Sequence, residues 1–207
     1  MISNKISDGI NGFPNIPGDK SISHRAIIIP SISNGTSIIT NILKSDDVMH
    51  TLNAFKSMGV KIIENEKNLE IHGKGLNSLS KPKGDIYLGN SGTSARLLSG
   101  LLASQKFDST LIGDASLSKR PMRRISDPLK KMSAKIQTSD GCLPINIKSS
   151  KLKSAKINIT VPSAQVKSGL LLACLNTEGQ SKIIENSITR NHTEIMLKSF
   201  GAKIDIL

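Results

Sequence analysis

An α/β fold made of three similar units is what this sequence predicts, and three observations carry it. A short ending recurs about every 70 residues: "SMGVKI" from Ser57, "KMSAKI" from Lys131 and "SFGAKI" from Ser199. Each ending follows a stretch with helical apolar spacing, "DDVMHTLNAFK", "PMRRISDPLKK" and "NHTEIMLK". Upstream of each lies a second apolar helix, "SHRAIIIPSI", "SARLLSGLLA" and "VKSGLLLACL", with a strand-like run between the two helices. Such units bury their apolar faces against one another, packed around shared helices.

The elements follow in order. The first helix opens in "PGDKSISHRAI", Pro17 to Ile27. Pro17 and Gly18 are turn residues, and Ser21 and Ser23 are candidate N-caps. Pro30 falls inside that helix and removes its bond to the Ala26 carbonyl, at a cost of about 3 kcal/mol, so a kink or an early end is expected. A strand at Thr36 to Ile42 leads to a helix with Asp47 as its cap, then to the hairpin "KIIENEKNLEIHG". Unit two repeats this with a strand at Ser109 to Asp114 and a helix that Pro121 would open. Unit three has a strand at Ser181 to Asn186, a helix capped by Asn191, and a strand after "GAKI". Stacked this way, the first helices of all three units point their N-termini at one place. Orphan N–H groups and partial positive charge then gather on one side.

Bulk composition narrows the partners. The 207 residues suffice for one or two domains, and 37% hydrophobic with 21% charged residues fits a soluble globular protein. No apolar run approaches the roughly 20 residues that span a bilayer, and "MISNKISDGINGF" has no secretory h-region. Cys142 and Cys174 have no partner spacing and read as free thiols of a reducing compartment, which points to the cytoplasm. With four His and no His/Cys pairing, no metal site is expected. The net charge of +12 favours anionic partners: nucleic acid, acidic lipid or phosphorylated metabolites. Aromatics at 2%, with no Trp, leave little to stack on single-stranded nucleic acid.

The loops entering the first helices hold the chemistry. "PGDKSISHR" sets Lys20 and Arg25 at a helix start, where an anion is already favoured. "LGNSGTSAR" offers backbone N–H groups and hydroxyls around Gly89 and Gly92, without the spacing of a P-loop. "SLSKRPMRR" puts Arg120 on a turn stiffened by Pro121, preorganised for a phosphate or carboxylate, while Arg123 and Arg124 read as a solvated face. "SITRNHTE" places Arg190 at the equivalent bend of unit three, with His192 as a capping or hydrogen-bonding residue.

Taken together, "PGDKSISHRA", "LGNSGTSAR", "SLSKRPM", "PSAQVKSGLLLA" and "TRNHTEIML" resemble, in order and in register, the 5-enolpyruvylshikimate-3-phosphate (EPSP) synthases, and "TRNHTE" their class II branch. The resemblance implies an inside-out α/β barrel of three βαβαββ units, forming one enolpyruvyl transferase domain over residues 13–207. Residues 1–12 would pair with a second domain that this chain lacks. It also implies transfer of the enolpyruvyl group of phosphoenolpyruvate to the 5-hydroxyl of shikimate-3-phosphate, with no cofactor and no metal. Lys20, Ser21, Arg25, Ser163, Ala164, Gln165 and Arg190 would hold shikimate-3-phosphate. Lys20, Gly92, Arg120 and Gln165 would line the phosphoenolpyruvate pocket, with Lys20 also moving a proton, its pKa lowered by burial near other cations. The family's second domain supplies the acidic base, so this chain alone is expected to be inactive, and the whole enzyme to be a monomer without nucleic-acid or membrane partners. Three alternatives stay open: half of a UDP-N-acetylglucosamine enolpyruvyl transferase, a basic nucleic-acid-binding module, and a stand-alone half-domain that pairs with a separate partner. Against the first, the helix start reads "DKS" where that enzyme has "AKN", and "GDASLSKRPM" carries no Cys.

Overall fold

The computed structural model describes residues 12–14 and 16–206, so most of the expected segment 1–12 lies outside the described residues. The chain forms α1 (Lys20–Ser31), β1 (Asn34–Thr40), α2 (Asp46–Ser57), β2 (Lys61–Glu64) and β3 (Asn68–Lys74). There follow β4 (Ile86–Tyr87), α3 (Gly92–Ala103), β5 (Ser109–Ile112), a single 3-10 turn at Leu117–Lys119, α4 (Arg123–Lys131), β6 (Lys135–Ser139) and β7 (Cys142–Lys148). Last come β8 (Lys156–Ile159), α5 (Ala164–Cys174), β9 (Lys182–Glu185) and α6 (His192–Ser199).

The described strands make three separate open sheets. β3 pairs antiparallel with β1 on one side and β2 on the other. The second sheet runs β4-β5-β7-β6, with β4 and β5 parallel and the remaining pairs antiparallel. β8 and β9 pair parallel. Alternation explains these strands: in β7 Leu143, Ile145 and Ile147 point inward while Pro144, Asn146 and Lys148 face solvent. β8 alternates likewise, burying Ile157 and Ile159.

The helices lie against one apolar core. α3 and α5 are buried along most of their length, and they meet through two glycines. A Cβ on Gly100 would lie 1.7 Å from the Gly169 carbonyl oxygen, and one on Gly169 would lie 2.5 Å from the Arg96 carbonyl oxygen. α2 buries Leu52 and Phe55 completely, worth about 2 kcal/mol each in transfer free energy.

Helices α2, α4 and α6 end alike. Val60 N–H donates to Phe55 O (3.1 Å), Ala134 to Leu129 (3.1 Å) and Ala202 to Leu197 (3.0 Å). The residue before each donor, Gly59, Ser133 or Gly201, has φ of 86°, 67° or 89°. This is a Schellman end, which needs a left-handed residue and so favours glycine.

Several local expectations change. Asp19, not Ser21 or Ser23, caps α1, accepting from Ile22 N–H at 2.8 Å. The Ser23 hydroxyl instead accepts from Leu43 N–H (3.0 Å), which ties down the loop after β1. Asp47 lies inside α2, whose N-cap position is Ser45. Asn191 occupies the N-cap position of α6 without a side-chain bond to it, and His192 is its first helical residue. Pro121 precedes α4: Met122 is fully buried and bonds Gly141 O at 2.7 Å, so the helix starts only at Arg123. At Pro30 the early end prevails, since α1 stops at Ser31. After α6 no strand forms among the described residues, where Lys203–Ile206 take no regular structure, whereas after α2 the equivalent run forms β2 and pairs with β3.

Candidate active site

Helix starts converge on one face. At the tip of α1, Lys20 Nζ lies 3.0 Å from Asp47 Oδ2 in the first turn of α2, and the lysine side chain is 53% exposed. The expected burial of Lys20 among cations is not found: its contact is a carboxylate, because α2 delivers Asp47 beside it. An exposed pair of this kind is worth at most about 1 kcal/mol, so an incoming anion can replace Asp47 at little cost. Ser21, next along, accepts from Arg190 Nη1 at 3.1 Å, which brings the loop before α6 onto α1.

One turn deeper, Arg25 is buried. Its guanidinium donates to Ser21 O (2.7 Å), to Ser168 Oγ on α5 (2.7 Å) and to Thr193 Oγ1 on α6 (2.5 Å). Thr193 in turn donates to Ser168 Oγ (2.7 Å). Arg25 therefore locks three helix starts together, and two of its five N–H groups have no partner among the described residues. Burial lowers its pKa, with the Arg190 charge acting the same way and Glu194 and Asp19 opposing.

The tip of α5 joins the other half of the face. Ser163 caps α5, accepting from Val166 N–H at 3.3 Å, and Ala164 is the first helical residue. The Gln165 amide bridges to α3: its Nε2 donates to Thr93 Oγ1 (2.9 Å), and its Oε1 accepts from Arg96 Nη1 (2.8 Å). Arg96 also bonds Gly92 O (3.1 Å) and Pro121 O (3.2 Å), so it ties the Arg120 turn to α3. Arg120 adopts the extended backbone that a following proline imposes and donates to Asn90 Oδ1. A Cβ on Gly92 would sit 2.9 Å from Arg96 Nη1 and 3.2 Å from Arg120 Nη1. Gly92 is what lets two guanidiniums crowd the start of α3. Burial, then the charges of Arg120 and Arg124, lower the pKa of Arg96. Arg123 and Arg124 face solvent, as expected of them.

Beneath this surface a hydroxyl chain holds α1, α2 and α3 in place. His24 Nδ1 meets Thr51 Oγ1 at 2.7 Å, Thr51 meets Ser94 Oγ at 2.6 Å, and Ser94 meets Ser91 Oγ at 2.7 Å. His24 is fully buried, its Nε2 has no partner among the described residues, and burial pushes its pKa down to about 4.

The EPSP synthase (3-phosphoshikimate 1-carboxyvinyltransferase) family model matches residues 5–206. The chain belongs to the EPSP synthase family. A 3-phosphoshikimate 1-carboxyvinyltransferase of Ruthia magnifica is 52% identical over 203 residues, and one of Oceanobacillus iheyensis is 50% identical over 201. These matches cover 98% and 96% of this chain but 47% of each relative, so the chain spans about half the length of the relatives it matches. A solved EPSP synthase of Acinetobacter baumannii superposes with a TM-score of 0.92 at 48% identity, over 95% of this chain and 45% of that one. These matches support neither the UDP-N-acetylglucosamine enolpyruvyl transferase nor the nucleic-acid alternative.

In this EPSP synthase chain the residues expected to hold ligands fall at or just inside the starts of α1, α3 and α5 and in the turns before α4 and α6. Lys20, Ser21, Arg25, Ser163, Ala164 and Arg190 cluster where α1, α5 and α6 begin; Gly92 and Arg120 cluster at α3; Gln165 stands between the two groups. The sequence assigned Arg96 no role and Asp47 only that of a cap, yet both complete the geometry, as do Asn90 and Thr93 of the glycine-rich loop. A usable signal for Arg96 was its place one turn after Gly92, on the same side of α3.

Proposed function

We propose that this chain supplies the first half of an EPSP synthase active site, binding shikimate-3-phosphate at the starts of α1, α5 and α6 and phosphoenolpyruvate at the starts of α3 and α5. One observation carries the reading: Arg190 reaches Ser21 across 169 residues of sequence, bringing the cation that precedes α6 over the start of α1, next to Lys20. A dianionic phosphate placed there gains charge-assisted hydrogen bonds and helix N-termini together. We take the three α/β segments as three repeats of an inside-out α/β barrel domain spanning 13–207, supported by the shared ends of α2, α4 and α6. Residues 1–12 are assigned to pairing with a second domain, and the whole enzyme is assigned as a cytoplasmic monomer.

In this reading the 5-hydroxyl oxygen bonds to C2 of phosphoenolpyruvate while C3 gains a proton. The resulting tetrahedral intermediate then loses a C3 proton as the C2–O bond to phosphate breaks, giving the enolpyruvyl ether and inorganic phosphate. Arg120, with Arg96 behind it, faces the growing negative charge, and Gln165 orients the ligands between the two groups. Lys20, once released from Asp47, is the proton carrier of this half. The base that takes the hydroxyl proton is assigned to the second domain.

The test is a phosphate-release assay on the 207-residue chain with both substrates, alone and then with a separately expressed second half of a relative. No release alone and release after mixing are expected. Turnover by the chain alone contradicts the half-site reading, and failure to release phosphate on mixing contradicts the assignment of the missing groups.

A further inference from the structure

Lys167 is buried beneath the loop that carries Arg190, with 7% of the residue exposed. Its ammonium lies 2.7 Å from Glu185 Oε1 and 2.7 Å from Glu194 Oε1, and it donates to Thr189 O at 3.4 Å. Glu185 also accepts from the Thr189 hydroxyl (2.6 Å) and the Thr189 N–H (3.3 Å). Burial works against the charge on Lys167, but the bonds to the two carboxylates outweigh it and raise its pKa.

A lysine and two carboxylates are an expensive way to fill the space between β9, α5 and α6. Apolar replacements of similar volume are often as stable or more so. The arrangement does something an apolar cluster cannot. Glu185 ends β9 and Glu194 lies in the first turn of α6, so one ammonium on α5 fixes both ends of the 186–191 connection. Thr189 is clamped from its backbone N–H, its carbonyl and its hydroxyl, and Arg190 is the next residue. The Arg190 side chain is itself exposed and holds to Ser21 by a 3.1 Å bond. A long exposed arginine loses much rotamer entropy when fixed, so its direction depends on a rigid backbone beneath it.

We propose that Lys167 is a positioning residue: through Glu185, Glu194 and Thr189 it aims the Arg190 guanidinium at the phosphate of bound shikimate-3-phosphate. This rests on the reading of the face as the shikimate-3-phosphate site. Lys167 itself touches no substrate.

A double-variant cycle tests it, by calorimetric titration of the 207-residue chain with shikimate-3-phosphate and with shikimate, which lacks the phosphate. Lys167→Met is expected to weaken shikimate-3-phosphate binding about 10-fold and shikimate binding less than about 2-fold, matching Arg190→Ala in kind. In the Arg190→Ala background, Lys167→Met should then cost nothing further. Losses that multiply, or equal losses for both ligands, overturn the positioning role while leaving the site reading intact. If Lys167→Met fails to fold, Thr189→Val decides, since it keeps the ion pairs and removes one clamp. A loss of about 3-fold that vanishes in the Arg190→Ala background supports the proposal, and one that persists overturns it. A parent chain that does not bind shikimate-3-phosphate overturns the site reading and this proposal with it.

Discussion

Arg25 and Ser168 are 143 residues apart in sequence, yet the Arg25 guanidinium donates to the Ser168 hydroxyl at 2.7 Å in the interior. A residue that reads as a ligand contact is thus also a structural tie between α1, α5 and α6. Arg25→Ala leaves the Ser168 and Thr193 hydroxyls and the Ser21 carbonyl without this partner. It is expected to cost about 3 kcal/mol, seen as a lower urea midpoint. Arg25→Lys should recover little of that, because one ammonium cannot reproduce the fork that reaches three acceptors.

The contact between α3 and α5 has no room for a methyl group. A Cβ at Gly100 would meet the Gly169 carbonyl oxygen at 1.7 Å, backbone against backbone. Gly100→Ala must push the two helices apart, although alanine favours helix by about 1 kcal/mol over glycine. Steric cost outweighs propensity here, and a net loss of about 3 kcal/mol is expected in thermal or urea unfolding.

Gly92→Ala behaves differently. Its Cβ would meet the far ends of Arg96 and Arg120, at 2.9 and 3.2 Å, and both side chains can swing away. Unfolding should change by less than about 1 kcal/mol. Phosphoenolpyruvate binding in the presence of shikimate-3-phosphate should weaken about 10-fold, because the two guanidiniums no longer sit where they do now. Calorimetric titration of the variant checks this.

His24 predicts a pH dependence. Burial, aided by the charges of Lys20 and Arg25 and opposed by Asp47, holds its pKa at about 4 against 6.5 for a free imidazole. The unfolded chain therefore binds a proton between these values that the folded chain does not. The stability from His24 is full above pH 6.5 and is lost as pH falls towards 4, by about 3 kcal/mol. His24→Asn should flatten the slope of unfolding free energy against pH in that window. An unchanged slope contradicts the prediction.

The helices were legible because their apolar runs are long, and the hairpin of β2 and β3 because its arms flank Asn65 and Lys67. Caps were not. In "DKSIS" three residues can cap, and the choice falls to Asp19 only because the loop after β1 takes the Ser23 hydroxyl. β4 is a two-residue strand with too short a pattern to read, whereas the alternation of Lys156–Ile159 was available. The helix starts that carry the five motifs were legible, but the contacts that support them were not. Glu185 and Glu194 look like ordinary surface acids until β9 and α6 fold over Lys167. Lys167 carried one signal, the only charge in the sequence of α5.

The central claim is that neighbouring helix starts, armed with cations, form one cradle for a phosphorylated ligand. Titrating the isotopically labelled chain with shikimate-3-phosphate, and following backbone amide shifts, tests it most directly. Saturable shifts are expected at Lys20, Ser21, Ala164, Gln165 and Arg190. Shifts confined to the solvated basic face at Arg123 and Arg124, or none that saturate, would contradict it.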